Sequence, residues 1–209
     1  MNAKFLVLEG MDGTGKTTQA TRLVAKLETA GRRPLHLREP GTTDLGERLR
    51  DILLDSTRTQ ISPRTEALMF FASRAEMLDS EVAPALAAGR DVVCERFTPS
   101  TVAYQGLDQE LTQFVFALDS LVVESALSPA LVIILDLSAE ESLARATDRS
   151  TADNFEARGI EFQQQVRAGY RAYAEQRPAH TRVIEVAGLD PDQVEAAINL
   201  VIDPLLAHV

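Results

Sequence analysis

Cysteine, lysine and long apolar runs are all scarce in this 209-residue chain, and each scarcity excludes something. Cys94 is the single cysteine, which rules out an intrachain disulfide and a multi-cysteine zinc site and suits an intracellular protein. Lysine occurs only at Lys4, Lys16 and Lys26, so the remaining positive charge is arginine. Genomic base composition explains that bias as well as a demand for bidentate phosphate binding does, so position must decide which arginines matter. Apolar runs such as residues 130–135 are far too short to cross a bilayer, and the opening MNAKFLVLEG lacks the basic segment and long apolar stretch of a secretory signal. Basic charge is short as well: a formal net charge of −10 repels polyanions, which argues against non-specific binding to DNA, RNA or anionic membrane. The expectation is a soluble, cytoplasmic protein without nucleic-acid or membrane partners, in which any anionic ligand meets a local basic pocket. His36, His180 and His208 show no ligand spacing, so packing or surface roles suffice for them.

What is present has the balance of an ordinary globule, 45% hydrophobic and 25% charged. Residues 5–8 form a short apolar run, glycines follow, and residues 18–30 then carry apolar side chains at helical spacing until Gly31. This predicts strand, loop and helix. A second strand is predicted over 34–37, a turn at Arg38-Glu39-Pro40-Gly41, and a helix over 45–55. Residues 63–88 open with serine then proline, a helix start, and Pro84 is expected to kink the helix or divide it. The runs 91–94, apolar after Asp91, and 131–135 suit strands buried on both faces, and each is closed by an acid, Glu95 and Asp136. A last strand over 182–186 precedes a helix over 191–206. Alternating strands and helices of this kind predict one α/β domain over residues 1–209, a central parallel β-sheet flanked by helices, with no repeat and no linker. Ligands of such sheets bind at the carboxyl ends of the strands, where the first loop, Arg38-Glu39-Pro40 and Glu95-Arg96 all fall.

Gly10-Met11-Asp12-Gly13-Thr14-Gly15-Lys16-Thr17 fits G-x-x-x-x-G-K-[ST], the Walker A phosphate loop, and Thr18 continues into the helix. Glycines let successive N–H groups turn toward phosphate oxygens, and the helix adds its positive end. Lys16 is placed to bridge the outer phosphates, with the Thr17 hydroxyl on Mg²⁺. Its position between a strand and a helix is the context the motif needs, so the loop is expected to hold a nucleoside triphosphate. A GTPase would add N-K-x-D, and no lysine exists beyond Lys26. A motor or transporter ATPase is usually larger. A small chain with further anion-binding residues by the same crevice suits a phosphoryl transferase with two nucleotide sites.

The chain resembles the bacterial thymidylate kinases over essentially its whole length. The resemblance rests on the Walker A loop, REPG (38–41), ERLRDILLD (47–55), EALMFFASR (66–74), ERF (95–97) with STVAYQG (100–106), and RATDRSTADNFE (145–156). It implies a P-loop NTPase fold with a helical lid at about residues 145–158, ATP as phosphoryl donor with Mg²⁺, dTMP as acceptor, and a homodimer, for which residues 66–88 and 113–127 offer apolar helical faces. It further implies that Arg96 and Arg50 grip the dTMP phosphate beside Arg38, Glu39 and Pro40, a task that suits the guanidinium fork. By the same resemblance Phe70 stacks on thymine, Arg74 meets its carbonyl edge, Ser100 and Gln105 lie near the base and Tyr104 near the sugar. Periodicity alone would put Phe70 in the core beside Phe71. Asp12 falls near the acceptor phosphate and the sugar hydroxyl, and Glu95 joins Thr17 at the metal. Lys16, Asp12, Arg96, Arg145 and Arg149 form the implied catalytic set, with Arg145 and Arg149 one helical turn apart and Arg149 supplying transition-state charge.

Four departures from the family pattern stand out. Glu95 replaces the usual aspartate before Arg96, lengthening the side chain by about 1.5 Å while keeping its charge. Gly13 occupies a place where some relatives carry a catalytic arginine, Asn154 one where arginine is common, and the stretch after Gly106 lacks the usual glycine-arginine-glycine. Two other readings stay open at this point: a kinase for a different deoxynucleotide or nucleoside, and a nucleotide-binding regulatory module without turnover.

Overall fold

The computed structural model describes residues 3–55, 57, 61–147, 154–155 and 158–207. Five strands, β1 (Phe5–Glu9), β2 (Leu35–Arg38), β3 (Val92–Glu95), β4 (Leu131–Asp136) and β5 (Thr181–Glu185), form one parallel sheet in the order β2-β3-β1-β4-β5. The three inner strands are the continuous apolar runs. The two edge strands, LHLR and TRVIE, mix in charge, and solvent-facing edges call for that.

Alternation along β1 sends Phe5 and Val7 to one face and Leu6 and Leu8 to the other, which builds two cores. Under Leu6 and Leu8 pack α1 (Lys16–Thr29) and α9 (Pro191–Ala207), through Leu23, Leu27, Val194 and Ile198. The opposite face is covered by α3 (Pro63–Met77), α5 (Thr98–Gln105), α6 (Gln109–Val122) and α8 (Ile160–Gln176). Helix α2 (Asp44–Leu54) packs on α3, and α7 (Ala139–Thr147) follows β4. This is the predicted α/β architecture.

Local signals explain the helix ends. Thr43 caps α2 by accepting from the Gly46 N–H, and Ser62 caps α3 by accepting from the Thr65 N–H with Pro63 behind it. The expected break near Pro84 takes a specific form: α3 stops at Met77, a π turn spans Leu78–Val82, and α4 (Ala83–Ala87) restarts with the proline in its first turn. Pro84 has no N–H to donate and its ring would clash with the carbonyl four residues back, so the widened turn ahead of it is the accommodation. Where α8 crosses α5, a Cβ on Gly169 would lie 2.8 Å from the Ala103 Cα, so the two backbones touch. That contact sets Tyr170 against Tyr104.

Candidate active site

The loop after β1 is shaped by glycines in backbone conformations that side chains rarely adopt. Gly10 has φ 136°, and a Cβ there would lie 2.4 Å from the Leu135 carbonyl oxygen; Gly15, at φ 92°, caps α1 without a side-chain bond and leaves the first N–H groups of the helix facing the loop. Thr14 fixes the turn by donating its hydroxyl to the Met11 carbonyl at 2.8 Å. Lys16 curls back over the loop to donate to the same carbonyl at 2.8 Å and lies 3.5 Å from Asp12. Burial, with Arg96 nearby, pushes the Lys16 ammonium down to about 8.

Asp12 has the partner that a carboxylate in this place needs: Arg96 Nη2 donates to it at 2.7 Å. Burial opposes its ionisation, yet Arg96 and Lys16 together hold it well below the usual carboxylate range. Arg96 leaves β3 in a left-handed conformation, φ 68°, rare for a side chain of its size. Its Nη1 donates to the Gly10 carbonyl, Ser100 Oγ and Tyr170 Oη at 3.2 to 3.3 Å, and its guanidinium lies over the Tyr104 ring.

Glu95, at the end of β3, faces the start of α1. Thr17 Oγ1 donates to its Oε2 at 2.5 Å, while His36 Nε2 lies 3.0 Å from its Oε1. Against the opposition of burial, these two neighbours keep the carboxyl ionised to lower pH than usual. A hydroxyl and a carboxylate side by side are hard oxygen donors, the set that fits Mg²⁺, which takes its other ligands from phosphates and water. No cluster of three or more His, Cys, Asp or Glu with metal-ligand geometry occurs among the described residues.

Two cavities meet at Asp12, Arg50 and Arg96. One runs along the phosphate loop and is lined also by Gly13, Gly15, Lys16, Thr17 and Thr18, with Arg38, Glu39 and Glu95 opposite. The other lies between α2, α3 and α5 and is lined by Pro40, Phe70, Ser100, Tyr104 and Gln105. The three strand-end segments and the aromatic helix face singled out in the sequence thus adjoin. Arg50 reaches in from α2 to donate to the Pro40 carbonyl at 3.0 Å, and Arg38 lies at the outer rim with Glu47. Ser100 is half-buried and Gln105 fully buried in the wall; Gln105 donates to Glu66 at 3.1 Å, and its Oε1 has no partner among the described residues.

Arg74 stands behind this cavity rather than in its lining. It is 1% exposed, lies between the rings of Phe71 and Phe97, and donates to both oxygens of Glu39 and to Thr101, which does line the cavity. Its Nη1 has no partner among the described residues. Burial pushes the Glu39 carboxyl up to about 7, against the pull of Arg74.

Arg145, on α7, lies across the phosphate loop from Arg96. It borders a separate cavity with Thr14, Thr18, Val186, Leu189 and Pro191. Arg149, expected beside it, lies outside the described residues, as does most of the stretch 148–157.

Sequence reasoning passed over several residues at this site. Phe155 lines the aromatic cavity, with its ring 6.2 Å from that of Phe70 and 5.7 Å from that of Tyr104. His36 attends Glu95 and Tyr170 attends Arg96. At the end of β4, Asp136 accepts bidentately from Arg167 at 2.8 and 2.9 Å and again from Arg171 at 2.5 Å. The stripe Phe162, Val166, Tyr170, Tyr173 was available as a signal for α8, since its spacing is helical. Nothing in that periodicity says what the Tyr170 hydroxyl touches.

Comparison with known proteins agrees along the whole chain. The family described as thymidylate kinase matches residues 8–198. A thymidylate kinase of Solidesulfovibrio magneticus is 43% identical, over 97% of this chain and 100% of its own, and one from Jannaschia sp. is 40% identical, over 98% of each. Among solved structures, the crystal structure of thymidylate kinase from Ehrlichia chaffeensis superposes with a TM-score of 0.78 at 28% identity, covering 97% of this chain and 100% of that one.

Proposed function

The chain belongs to the thymidylate kinase family, and from that membership we propose how its own residues transfer the terminal phosphoryl group of ATP to dTMP, giving ADP and dTDP. The observation that carries the reading is the meeting of two anion-binding cavities at Asp12, Arg50 and Arg96. Phosphoryl transfer asks a protein mainly to set two phosphates in line and offset their charge, and a shared wall of fixed donors does both.

On the donor side, the backbone amides of residues 10–15, the start of α1 and Lys16 receive the ATP phosphates. Thr17 and Glu95 would hold Mg²⁺, which when bound neutralises charge on the phosphate oxygens. Arg145 lies beside the donor nucleotide, on the side of the loop away from Arg96, and Arg149 remains the group that brings charge to the transferring phosphoryl. On the acceptor side, Arg96 and Arg50 take the dTMP phosphate, with Arg38, Glu39 and Pro40 forming the outer wall. Phe70 stacks on the base, Ser100, Gln105 and the buried Arg74 serve its polar edge, and Tyr104 stands by the sugar. Asp12, paired with Arg96, is kept ionised between the two sites.

The enzyme works as one domain over residues 1–209 with a lid at about 145–158, in the cytoplasm, as a homodimer joined through α3 and α6. Exposed Leu68 and Leu121 on those helices support the choice of face, and no described helix is long and apolar enough to cross a membrane. Mg²⁺-dependent ADP release measured against dTMP, other deoxynucleoside monophosphates and thymidine tests the reaction. Turnover highest with dTMP is expected. A different preferred acceptor, or none, overturns the reading.

A further inference from the structure

Behind Arg96 stand two groups that line neither cavity, Glu9 and Tyr170. Glu9 ends β1 with its side chain 0% exposed, and Tyr170 on α8 is 2% exposed. Between them and the guanidinium stand two hydroxyls. Ser100 Oγ donates to Glu9 Oε2 at 2.7 Å, and Tyr170 Oη donates to the same oxygen at 3.1 Å; each also lies 3.2 Å from Arg96 Nη1. A guanidinium only donates, so both hydroxyls turn a lone pair to Arg96; each is also within donating distance of Glu9, while the two hydroxyls lie 2.8 Å from each other and Tyr170 Oη lies 3.3 Å from the Gly10 carbonyl. The other Glu9 oxygen accepts from the Phe97 and Ser100 backbone N–H groups at 2.7 and 3.1 Å, which pins the first turn of α5, directly after Arg96, to the same carboxylate.

We infer that Glu9 and Tyr170 are positioning residues for the transfer reaction, holding the Arg96 guanidinium through the Tyr170 and Ser100 hydroxyls in the single orientation that meets Asp12 and the acceptor phosphate. An unsupported arginine at the end of a strand would sample many rotamers and lose that freedom on binding. A residue held at φ 68° with one nitrogen against three acceptors has lost it in advance. Burial raises the Glu9 pKa, and Arg96 with the Ser100 and Tyr170 hydroxyls and the Phe97 N–H offsets that rise only in part.

The inference rests on Arg96 as the phosphate-binding group, and the test separates the two. Tyr170→Phe removes one oxygen and keeps the packed ring. Calorimetric affinity for dTMP is expected to fall about tenfold, the range for a hydrogen bond to a charged group, while thymidine affinity, the KM for ATP and the melting temperature stay as they were. In an Arg96→Lys background the same substitution should cost nothing more, because its route of action is already gone; a merely structural tyrosine would add its cost in both backgrounds. Glu9→Gln, which keeps shape and removes charge, should reproduce the selective loss for dTMP. Equal losses for dTMP and thymidine, no loss for either, or additivity with Arg96→Lys overturns the inference. If Arg96→Lys weakens dTMP and Tyr170→Phe does not, only the inference falls. If Arg96→Lys leaves dTMP affinity unchanged, the phosphate role of Arg96 falls, and the positioning role with it.

Discussion

On the Arg96 side of the phosphate loop, polar groups are buried and held: Arg96 on Asp12, Ser100 and Tyr170, Arg74 on Glu39, Gln105 on Glu66. On the Arg145 side the wall is Val186, Leu189 and Pro191, and the described polar ties are few, chiefly Ser142 Oγ on the Asp12 carbonyl at 2.5 Å and Gln19 on the Pro191 carbonyl at 2.8 Å. The difference follows from what each side binds in the proposed reaction. A small acceptor must be told from close relatives, and buried polar groups discriminate because a wrong ligand leaves them unpaired. A donor already gripped by its phosphates needs from the other wall little beyond a flat apolar surface.

Arg96→Ala is the hardest blow to that contrast. It should lower kcat/KM for dTMP by about a thousandfold, the scale of removing a fixed charged donor, while the affinity of a non-hydrolysable ATP analogue changes less than threefold. Equal losses on both sides would mean that the two cavities act as one. Glu39→Gln probes the scaffold of the acceptor side instead of its contacts. Arg74 would be left buried without its counter-charge, and urea denaturation should show a loss of about 3 kcal/mol.

Arg145→Ala sharpens the comparison from the other direction. The KM for ATP should rise about tenfold and that for dTMP stay within twofold; a larger effect on dTMP would place Arg145 with the acceptor. The smallest effect concerns Asp136, away from both cavities. Burial opposes its ionisation, but Arg167 and Arg171 hold its pKa below the ordinary 3.8. A depressed folded pKa means the pairing stabilises above that ordinary value and is lost as pH falls through the folded one. Urea midpoints of the wild type and Asp136→Asn should therefore converge as pH drops below about 4 and stay apart at pH 6.

Much of the fold was legible because the inner strands are buried on both faces: FLVL, DVVC and LVIIL allow no other element of that length. The phosphate loop was legible because its chemistry is local, glycines and a lysine within eight residues. The crevice followed from strand ends alone, since a parallel sheet gathers them on one side. What escaped are contacts between distant residues. Glu9 and Tyr170 lie 161 positions apart, and His36 and Glu95 lie 59 apart. Arg145 shows the same limit, for sequence placed it one turn from Arg149 but not on which side of the loop α7 would pass. Arg74 shows a subtler one: the resemblance put it at the base beside Phe70, and Glu39 draws it a layer deeper.

The crossing of α8 over α5 has one more consequence. Elsewhere in the interior a substituted side chain can change rotamer and let its neighbours settle; a Cβ on Gly169 would meet the Ala103 Cα, carbonyl and methyl, none of which has a rotamer to change. The seating of Tyr170 against Tyr104 is therefore gauged against the Ala103 backbone as well as against side chains. A single added carbon at position 169 is the smallest edit that would push the two tyrosines apart.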